Sequence, residues 1–209
     1  MILLSDPRLQ QLPIHENGEP LVDTGSALLL DSRERDCAGT YSHVRSNVLE
    51  RLRCAGRSLP KGTQLLIIEG HRTTSEQARR FDLYKQRIRA SGITDRTELH
   101  VRTSAFVSPV GVAPHCTGGA VDLSLADAAG AELDMGGPVN GHRTGDERSC
   151  SLEAPGLSAL AQRNRRLLVK AMSGAGFVNY PTEWWHWSFG DRYWALLTGA
   201  QAAVYGPVQ

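Results

Sequence analysis

Two short segments, far apart in the chain, carry the residue types that a catalytic metal site needs. The first runs from His115 to Asp122, with Gly118 and Gly119 between the imidazole and the carboxylate. A catalytic zinc ion takes three protein ligands and keeps a fourth position open for water. A tight turn at the two glycines would bring the flanking side chains together, so His115 and Asp122 are candidate ligands. A chance histidine near a surface aspartate would give the same pattern, and the segment alone is not decisive.

The second segment is Glu183-Trp184-Trp185-His186, which places an acid three residues before a histidine. Positions i and i+3 of a straight strand face opposite ways, so we expect Glu183 in the turn after Pro181 and His186 inside the following strand. Three tryptophans at positions 184, 185 and 187 also fit an aromatic core. A glutamate in such surroundings is costly without a role or a partner, which favours a functional Glu183.

Together the two segments describe a site with two imidazoles and one carboxylate. His115, Asp122 and His186 would hold one catalytic Zn²⁺ ion. Glu183 would act as the general base on a metal-activated water. Arg72 follows a predicted strand and begins a predicted helix, a rigid place from which it could stabilise the oxyanion of a carbonyl under attack. The chain has no GxSxG, HExxH or phosphate-loop motif, which excludes the commonest hydrolase and nucleotide-binding classes.

The remaining sequence predicts the elements that must position these residues. The helical spacing of apolar residues, with glycines at the ends, predicts helices over 41–55, about 73–90 and about 157–173. In the last of these helices Leu160 is expected to face inward. Strands are expected over 64–68, 101–112 and 120–125 and after Pro181. Residues 1–40 are expected to be loops with one short strand at 27–30, and 126–156 a loop. This mixture indicates an α+β protein, with helices packed on a largely antiparallel sheet.

Length and composition indicate an ordinary folded protein. The chain has 209 residues, of which 41% are hydrophobic and 22% charged, and we expect a single domain over residues 1–209. A net charge of +1 favours neither a nucleic acid nor a membrane surface as partner. Without a secretory signal or a membrane-spanning run, a cytoplasmic location is expected, with the four cysteines as free thiols. The oligomeric state is left open.

The sequence resembles the zinc D-alanyl-D-alanine dipeptidases, relatives of the D,D-carboxypeptidases and of the Hedgehog signalling domain fold. The family pattern of His, Gly, Ala and Asp is matched within residues 115–122, and its Glu-Trp-Trp-His is matched at 183–186. The family's arginine after a strand-end glycine is matched by Arg72. The likeness is strongest over residues 60–206. It implies a Hedgehog/D-Ala-D-Ala peptidase-like fold, zinc on the three candidate ligands, Glu183 as base and Arg72 as electrophilic helper.

Two positions depart from the family pattern at the place where the substrate's ammonium group is held. Ala113 stands where members have a serine, and Asn140 where they have an aspartate. We include both, with Trp185, as candidate substrate-binding residues. Loss of an ionic partner at a buried polar contact costs about 2 to 5 kcal/mol of binding. Altered recognition of the amine end is therefore expected, beside a segment, 139–145, that is longer than usual.

The leading hypothesis is a zinc metallopeptidase of the dipeptidase type, acting on a small peptide or amide. Two alternatives remain: a tailoring amide hydrolase of specialised metabolism, and a zinc-stabilised binding module without activity. Glu183 and Arg72 favour an enzyme, because a structural zinc site needs neither a base nor an open coordination position.

Several other residues are expected to have ordinary roles. His71 is expected in an exposed turn, with support of the site from behind as the alternative. His142 is expected in a solvated loop, with contact to the substrate as the alternative. Cys116 is expected to point away from His115 in an extended segment, so that it is no fourth ligand. The remaining histidines and the arginine clusters are interpreted as packing residues and solvated helix faces; these are His15, His43, His100, Arg79, Arg80, Arg163, Arg165 and Arg166.

Overall fold

The protein is described over residues 2–208 by a computed structural model. Its α-helices are α1 (Pro7–Gln11), α2 (Ser46–Ser58), α3 (Thr74–Ala90), α4 (Arg96–Ser104), α5 (Ala159–Gly174) and α6 (Arg192–Thr198). Its strands are β1 (Leu21–Asp23), β2 (Leu29–Leu30), β3 (His43–Arg45), β4 (Thr63–Glu69), β5 (Ala120–Asp127), β6 (Val178–Tyr180) and β7 (Glu183–Ser188). Within residues 2–208, no helix combines the length and the apolar character needed to cross a membrane.

A five-stranded sheet in the order β2-β4-β5-β7-β6 forms the centre of the fold. The short β2 pairs with β4 in parallel, and the other neighbours are antiparallel. Helices α2 and α5 pack their apolar faces against it in the main hydrophobic core. The predicted α+β class with a largely antiparallel sheet is confirmed.

Strand β5 lies in the middle of this sheet and carries a carboxylate. Its alternating apolar residues Val121, Leu123 and Leu125 enter the main core, as the period-2 pattern predicts. Asp122 faces the other way, where it pairs in register with Glu69 of β4 and His186 of β7. Three ionisable side chains from three adjacent strands therefore form one row across the sheet.

Helix α3 begins directly after β4 because its first turn is capped. The Thr73 side chain accepts a hydrogen bond from the backbone N–H of Glu76 and so acts as the N-cap. The helix ends at Ala90, and Gly92 follows with a φ of +101°. Arg72 therefore lies on a rigid junction between a buried strand and a capped helix.

The strand expected over 101–112 is wrong, because residues 96–104 form α4 and a 3-10 turn follows at 110–112. Asp95 caps α4 by accepting from the Glu98 N–H, and this local cap outweighs the strand preference of the β-branched residues. The helix expected from residue 41 begins instead at Ser46, since His43–Arg45 pair with β1.

Two further expectations need correction. Leu160 is 54% exposed, because the buried stripe of α5 passes through Ala161, Leu168 and Met172 instead. Residues 1–40 contain α1 and β1 in addition to the expected short strand.

Candidate metal centre and its cavity

The three candidate ligands come from different elements and meet at one point. His115 lies on a 3-10 turn that ends at Gly118, whose φ of +70° produces the predicted sharp turn into β5. Its Nε2 lies 3.2 Å from Asp122 Oδ1 and 3.1 Å from His186 Nδ1. His186 Nδ1 lies 2.9 Å from the same Asp122 oxygen. All three side chains are buried.

The donor atoms of this trio fit a divalent metal ion. His115 Nδ1 lies 2.7 Å from the carbonyl oxygen of Gly70, which can only accept, so Nδ1 carries the proton and Nε2 offers a lone pair. That lone pair, a carboxylate oxygen and a second imidazole nitrogen converge, an arrangement that a cation stabilises. Burial alone would raise the pKa of Asp122, but the two imidazoles outweigh it and hold this pKa well below its ordinary value. Two imidazoles and one carboxylate form a ligand set typical of catalytic zinc.

A cavity of about 370 Å³ opens over the trio. Its polar side includes Arg72, Asn140, His142 and Glu183, and its apolar side includes Leu83, Tyr84, Phe106 and Val107. The volume lies in the range of pockets that enclose small ligands. A small molecule in this cavity would contact the candidate ligands and the candidate base together.

Glu183 is the first residue of β7, not a residue of the turn before it, which corrects the sequence-based expectation. The bend that the i, i+3 spacing requires comes from a register shift between β6 and β7 at Asn179 and Tyr180. The Asn179 side-chain amide donates to the carbonyl oxygens of Glu183 and His186 and so supports this irregularity. Burial, followed by the charge of Asp122, raises the pKa of Glu183 well above its ordinary value.

Arg72 lines the cavity with a rigidly held guanidinium. Its Nε and Nη2 donate to the Glu69 carboxylate at 2.8 and 2.5 Å, and its Nη1 donates to Gln77 Oε1 at 2.6 Å. Burial alone would lower the pKa of Arg72, but the adjacent Glu69 charge outweighs it and raises this pKa. A guanidinium has five N–H donors, and the two that these contacts leave over are available to a substrate oxygen.

The supporting residues Glu69 and Gln77 were missed in the sequence. Glu69 is only 2% exposed, at the end of a strand of buried apolar residues. A charged residue there, three positions before an arginine, is the signal that could have identified the pair.

Of the three candidate substrate-binding residues, only Asn140 lines the cavity. It has a left-handed backbone, with a φ of +59°, and its Nδ2 donates to Glu34 Oε1 at 2.9 Å. Ala113 and Trp185 are 2% and 0% exposed and are not part of the cavity wall. Trp185 belongs to the main core, because neighbouring residues of a strand alternate between its faces and His186 takes the cavity side.

Glu34, from the N-terminal segment, also reaches the cavity and was missed in the sequence. Its carboxylate contacts Arg80 at 3.1 Å and Arg143 at 2.6 Å, in addition to Asn140. It lies in a polar loop with no motif around it, so no local pattern marks it as part of a site. The segment expected to be plain loop thus supplies part of the cavity wall.

Three residues expected to be exposed are buried, and a fourth is half-buried. His71 and His142 are 4% and 2% exposed. Arg165 is 3% exposed and donates to the carbonyl oxygens of Met135 and Ser149, which fixes the long loop on α5. Half-buried Arg80 pairs with Glu34, Glu69 and Glu76 instead of facing solvent.

Cys116 is buried on a 3-10 turn, not in an extended segment, so the strand argument for the direction of its side chain was wrong.

Gly70 should tolerate no side chain. Its carbonyl holds the His115 tautomer, and a Cβ at this position would collide with the carbonyl oxygen of His43. We expect Gly70→Ala to lower the free energy of unfolding by about 1 to 3 kcal/mol and to weaken metal binding, as measured by urea unfolding and zinc titration. Gly56→Ala, where a Cβ meets nothing within 4 Å, is the matched control. Equal stability of both variants would contradict the tight packing at Gly70.

The described residues thus combine an α+β fold with two histidines and one carboxylate that could hold a metal ion over a small cavity. A sequence model of the Peptidase_M15 family, described as D-Ala-D-Ala dipeptidase, matches residues 44–200. The chain belongs to this family, which confirms the resemblance found in the sequence. All five candidate metal and catalytic residues, from Arg72 to His186, lie inside the matched range.

Two curated relatives are D-alanyl-D-alanine dipeptidases. The protein of Synechocystis sp. is 37% identical over 97 residues, which are 42% of this chain and 38% of the relative. The protein of Escherichia coli is 46% identical over 72 residues, which are 34% of this chain and 35% of the relative. The aligned part therefore spans little more than a third of each relative's length.

Solved structures with a similar chain course include the LdcB LD-carboxypeptidase, with a TM-score of 0.48, 18% identity and coverage of 90% of this chain and 77% of that chain. A VanY D,D-pentapeptidase mutant in complex with Zn(II) has a TM-score of 0.47 and 16% identity, and covers 94% of this chain and 96% of that chain. VanYB in complex with D-alanine-D-alanine has a TM-score of 0.47 and 18% identity, and the match covers 79% of this chain and 82% of that chain.

Proposed function

We propose that this protein is a zinc-dependent hydrolase that cleaves a small peptide or amide, in a reaction of the D-Ala-D-Ala dipeptidase type. The observation that supports it best is the convergence of His115, Asp122 and His186, with donor atoms 2.9 to 3.2 Å apart. Glu183 and Arg72 border the same cavity, as a hydrolytic site requires. Membership of the dipeptidase family supports the reaction class.

Each residue of the site has a chemical task in this proposal. Zinc, when bound, supplies a Lewis acid that polarises a carbonyl oxygen and lowers the pKa of water. Glu183 accepts the proton of the attacking water and returns it to the nitrogen of the leaving amine. Arg72 donates its two remaining N–H groups to the carbonyl oxygen as negative charge develops there. Glu69 and Gln77 hold Arg72 in place for this contact.

We further propose that a free ammonium group is poorly recognised at the amine end of the substrate. Asn140 offers a neutral amide, and the nearby Glu34 carboxylate already contacts two guanidinium groups, from Arg80 and Arg143. An ammonium at this place would find the Glu34 carboxylate already paired. This supports a substrate with a blocked or missing amine, such as the amide of a tailoring hydrolase.

A comparison of substrates tests the amine-end proposal. We expect kcat/KM on N-acetyl-D-Ala-D-Ala to exceed that on D-Ala-D-Ala by about tenfold or more, because a buried ammonium without a free ionic partner loses several kcal/mol of binding. Asn140→Asp restores a carboxylate and should move the preference toward the free dipeptide, whereas the conservative Asn140→Gln should not. Activity confined to the free dipeptide in the wild-type protein would refute altered recognition.

The binding-module alternative is separated by metal analysis combined with a turnover assay on a panel of dipeptides and acyl dipeptides. One equivalent of zinc with hydrolysis of any member supports the enzyme. One equivalent of zinc without hydrolysis of any member favours the binding module. The cytoplasmic location stays a prediction.

A further inference from the structure

His142 is a buried histidine in the cavity wall, outside the metal-binding trio. It lies on the 3-10 turn Gly141–Arg143 and is 2% exposed. Its ring stacks on the Phe106 ring, with centroids 5.0 Å apart, and lies nearly parallel to the Trp185 ring, with centroids 6.2 Å apart. The Tyr84 ring packs edge-on against it at 5.6 Å. Aromatic contacts from three elements therefore fix the plane of this imidazole.

The Nδ1 atom of His142 is buried without a hydrogen-bond partner among residues 2–208. The acid facing it is Glu183, whose Oε1 lies 3.8 Å from this nitrogen. Within the same residues, no donor reaches hydrogen-bond distance of the Glu183 carboxylate. Buried polar groups in folded proteins are nearly always hydrogen-bonded. The unpartnered His142 Nδ1 and a carboxylate oxygen that borders the cavity thus face each other at 3.8 Å, slightly too long for a hydrogen bond.

We propose that His142 is a positioning residue for Glu183, donating its Nδ1–H to the carboxylate and fixing its direction toward the reacting water. The proposal requires a shift of the Glu183 side chain that closes the 3.8 Å gap to about 2.8 Å, the length of a charge-assisted hydrogen bond. Catalytic hydrogen bonds are often long without substrate and tighten in the complex. A general base is commonly oriented by a third group of this kind. The inference rests on the proposed function in that Glu183 is the base.

His142 can donate a hydrogen bond to Glu183 without accepting the proton that Glu183 takes from water. Burial, followed by the charge of Arg143, lowers the pKa of His142 to about 3, so the ring is neutral near pH 7 and carries one N–H. A hydrogen bond to the ionised form of a carboxylate favours that form. It therefore opposes the burial and the Asp122 charge that raise the pKa of Glu183.

A pair of variants tests this role through kinetics. His142→Phe keeps an aromatic ring in the stack and removes the donor, and we expect kcat to fall about 10- to 100-fold, a range typical of lost orienting partners. KM and the bound zinc should stay within about twofold, since Glu183 is outside the ligand set. His142→Asn places an amide donor near the Nδ1 position and should recover much of kcat. An unchanged kcat in His142→Phe, or no recovery in a folded His142→Asn, overturns the proposal.

A spectroscopic measurement on the wild-type protein is independent of turnover and of whether His142→Phe folds. The protein is labelled with ¹⁵N-histidine and loaded with zinc, and the His142 signals are assigned as those missing from the His142→Asn spectrum. We expect the Nδ1 atom of His142 to carry the proton. We also expect the ¹⁵N chemical shift of this atom to change in Glu183→Gln. A bare Nδ1, or a signal that ignores Glu183→Gln, overturns the pairing. Absence of hydrolysis with the expected Nδ1–H signal would instead refute the proposed function and leave the pairing intact.

Discussion

The Glu183→Gln variant is expected to bind zinc like the wild-type protein and to lose turnover by about 10²- to 10⁴-fold, the usual contribution of a general base. The amide has nearly the shape of the carboxylate but cannot take a proton from water. The metal should remain, because the proposed ligands are His115, Asp122 and His186 and do not include Glu183. Zinc content by atomic absorption and kcat on the best substrate of the panel measure the two effects together.

Glu50→Gln is the control for this variant. This substitution makes the same chemical change on the exposed face of α2, where the Glu50 side chain is 61% exposed and pairs with Arg53. It should leave both zinc content and kcat unchanged. Full activity in Glu183→Gln would remove Glu183 from the mechanism, and loss of zinc would make it a ligand.

The candidate metal ligands could be selected from sequence because their positions depend on local patterns. Gly118 and Gly119 mark the turn between His115 and the strand, and the alternation around Asp122 shows which face of β5 the carboxylate takes. The register that aligns Asp122 with His186 could not be predicted, since strand pairing depends on contacts between distant segments. Recognition of the family motif filled this gap.

The cavity walls could not be predicted because they form only in the folded chain. His142 looks like a loop histidine until Tyr84, Phe106 and Trp185 surround it. Glu34 stands in a polar loop, and its partners lie on α3 and in the segment after β5. The error at residues 101–112 differs in kind, since the Asp95-x-x-Glu98 cap was present in the sequence and was overlooked.

Glu69→Gln is expected to destabilise the protein by about 3 to 5 kcal/mol, the cost of removing one partner of a buried ion pair. Glu69 is 2% exposed and accepts from Arg72 at 2.5 Å and from Arg80 at 3.1 Å. An amide keeps the volume but removes the charge, which leaves the buried Arg72 guanidinium without its counter-ion. Urea unfolding of the metal-free protein measures the loss without a contribution from zinc.

Glu76→Gln separates this effect from the general loss of an ion pair. Glu76 also pairs with Arg80 and with Arg79, but its side chain is 28% exposed, and partly hydrated pairs contribute about 0 to 1 kcal/mol. Equal destabilisation by the two variants would show that burial of Glu69 is not what makes it important. A large loss of unfolding free energy confined to Glu69→Gln, together with a lower kcat of the folded variant, would show that the Glu69 carboxylate both stabilises the protein and positions Arg72.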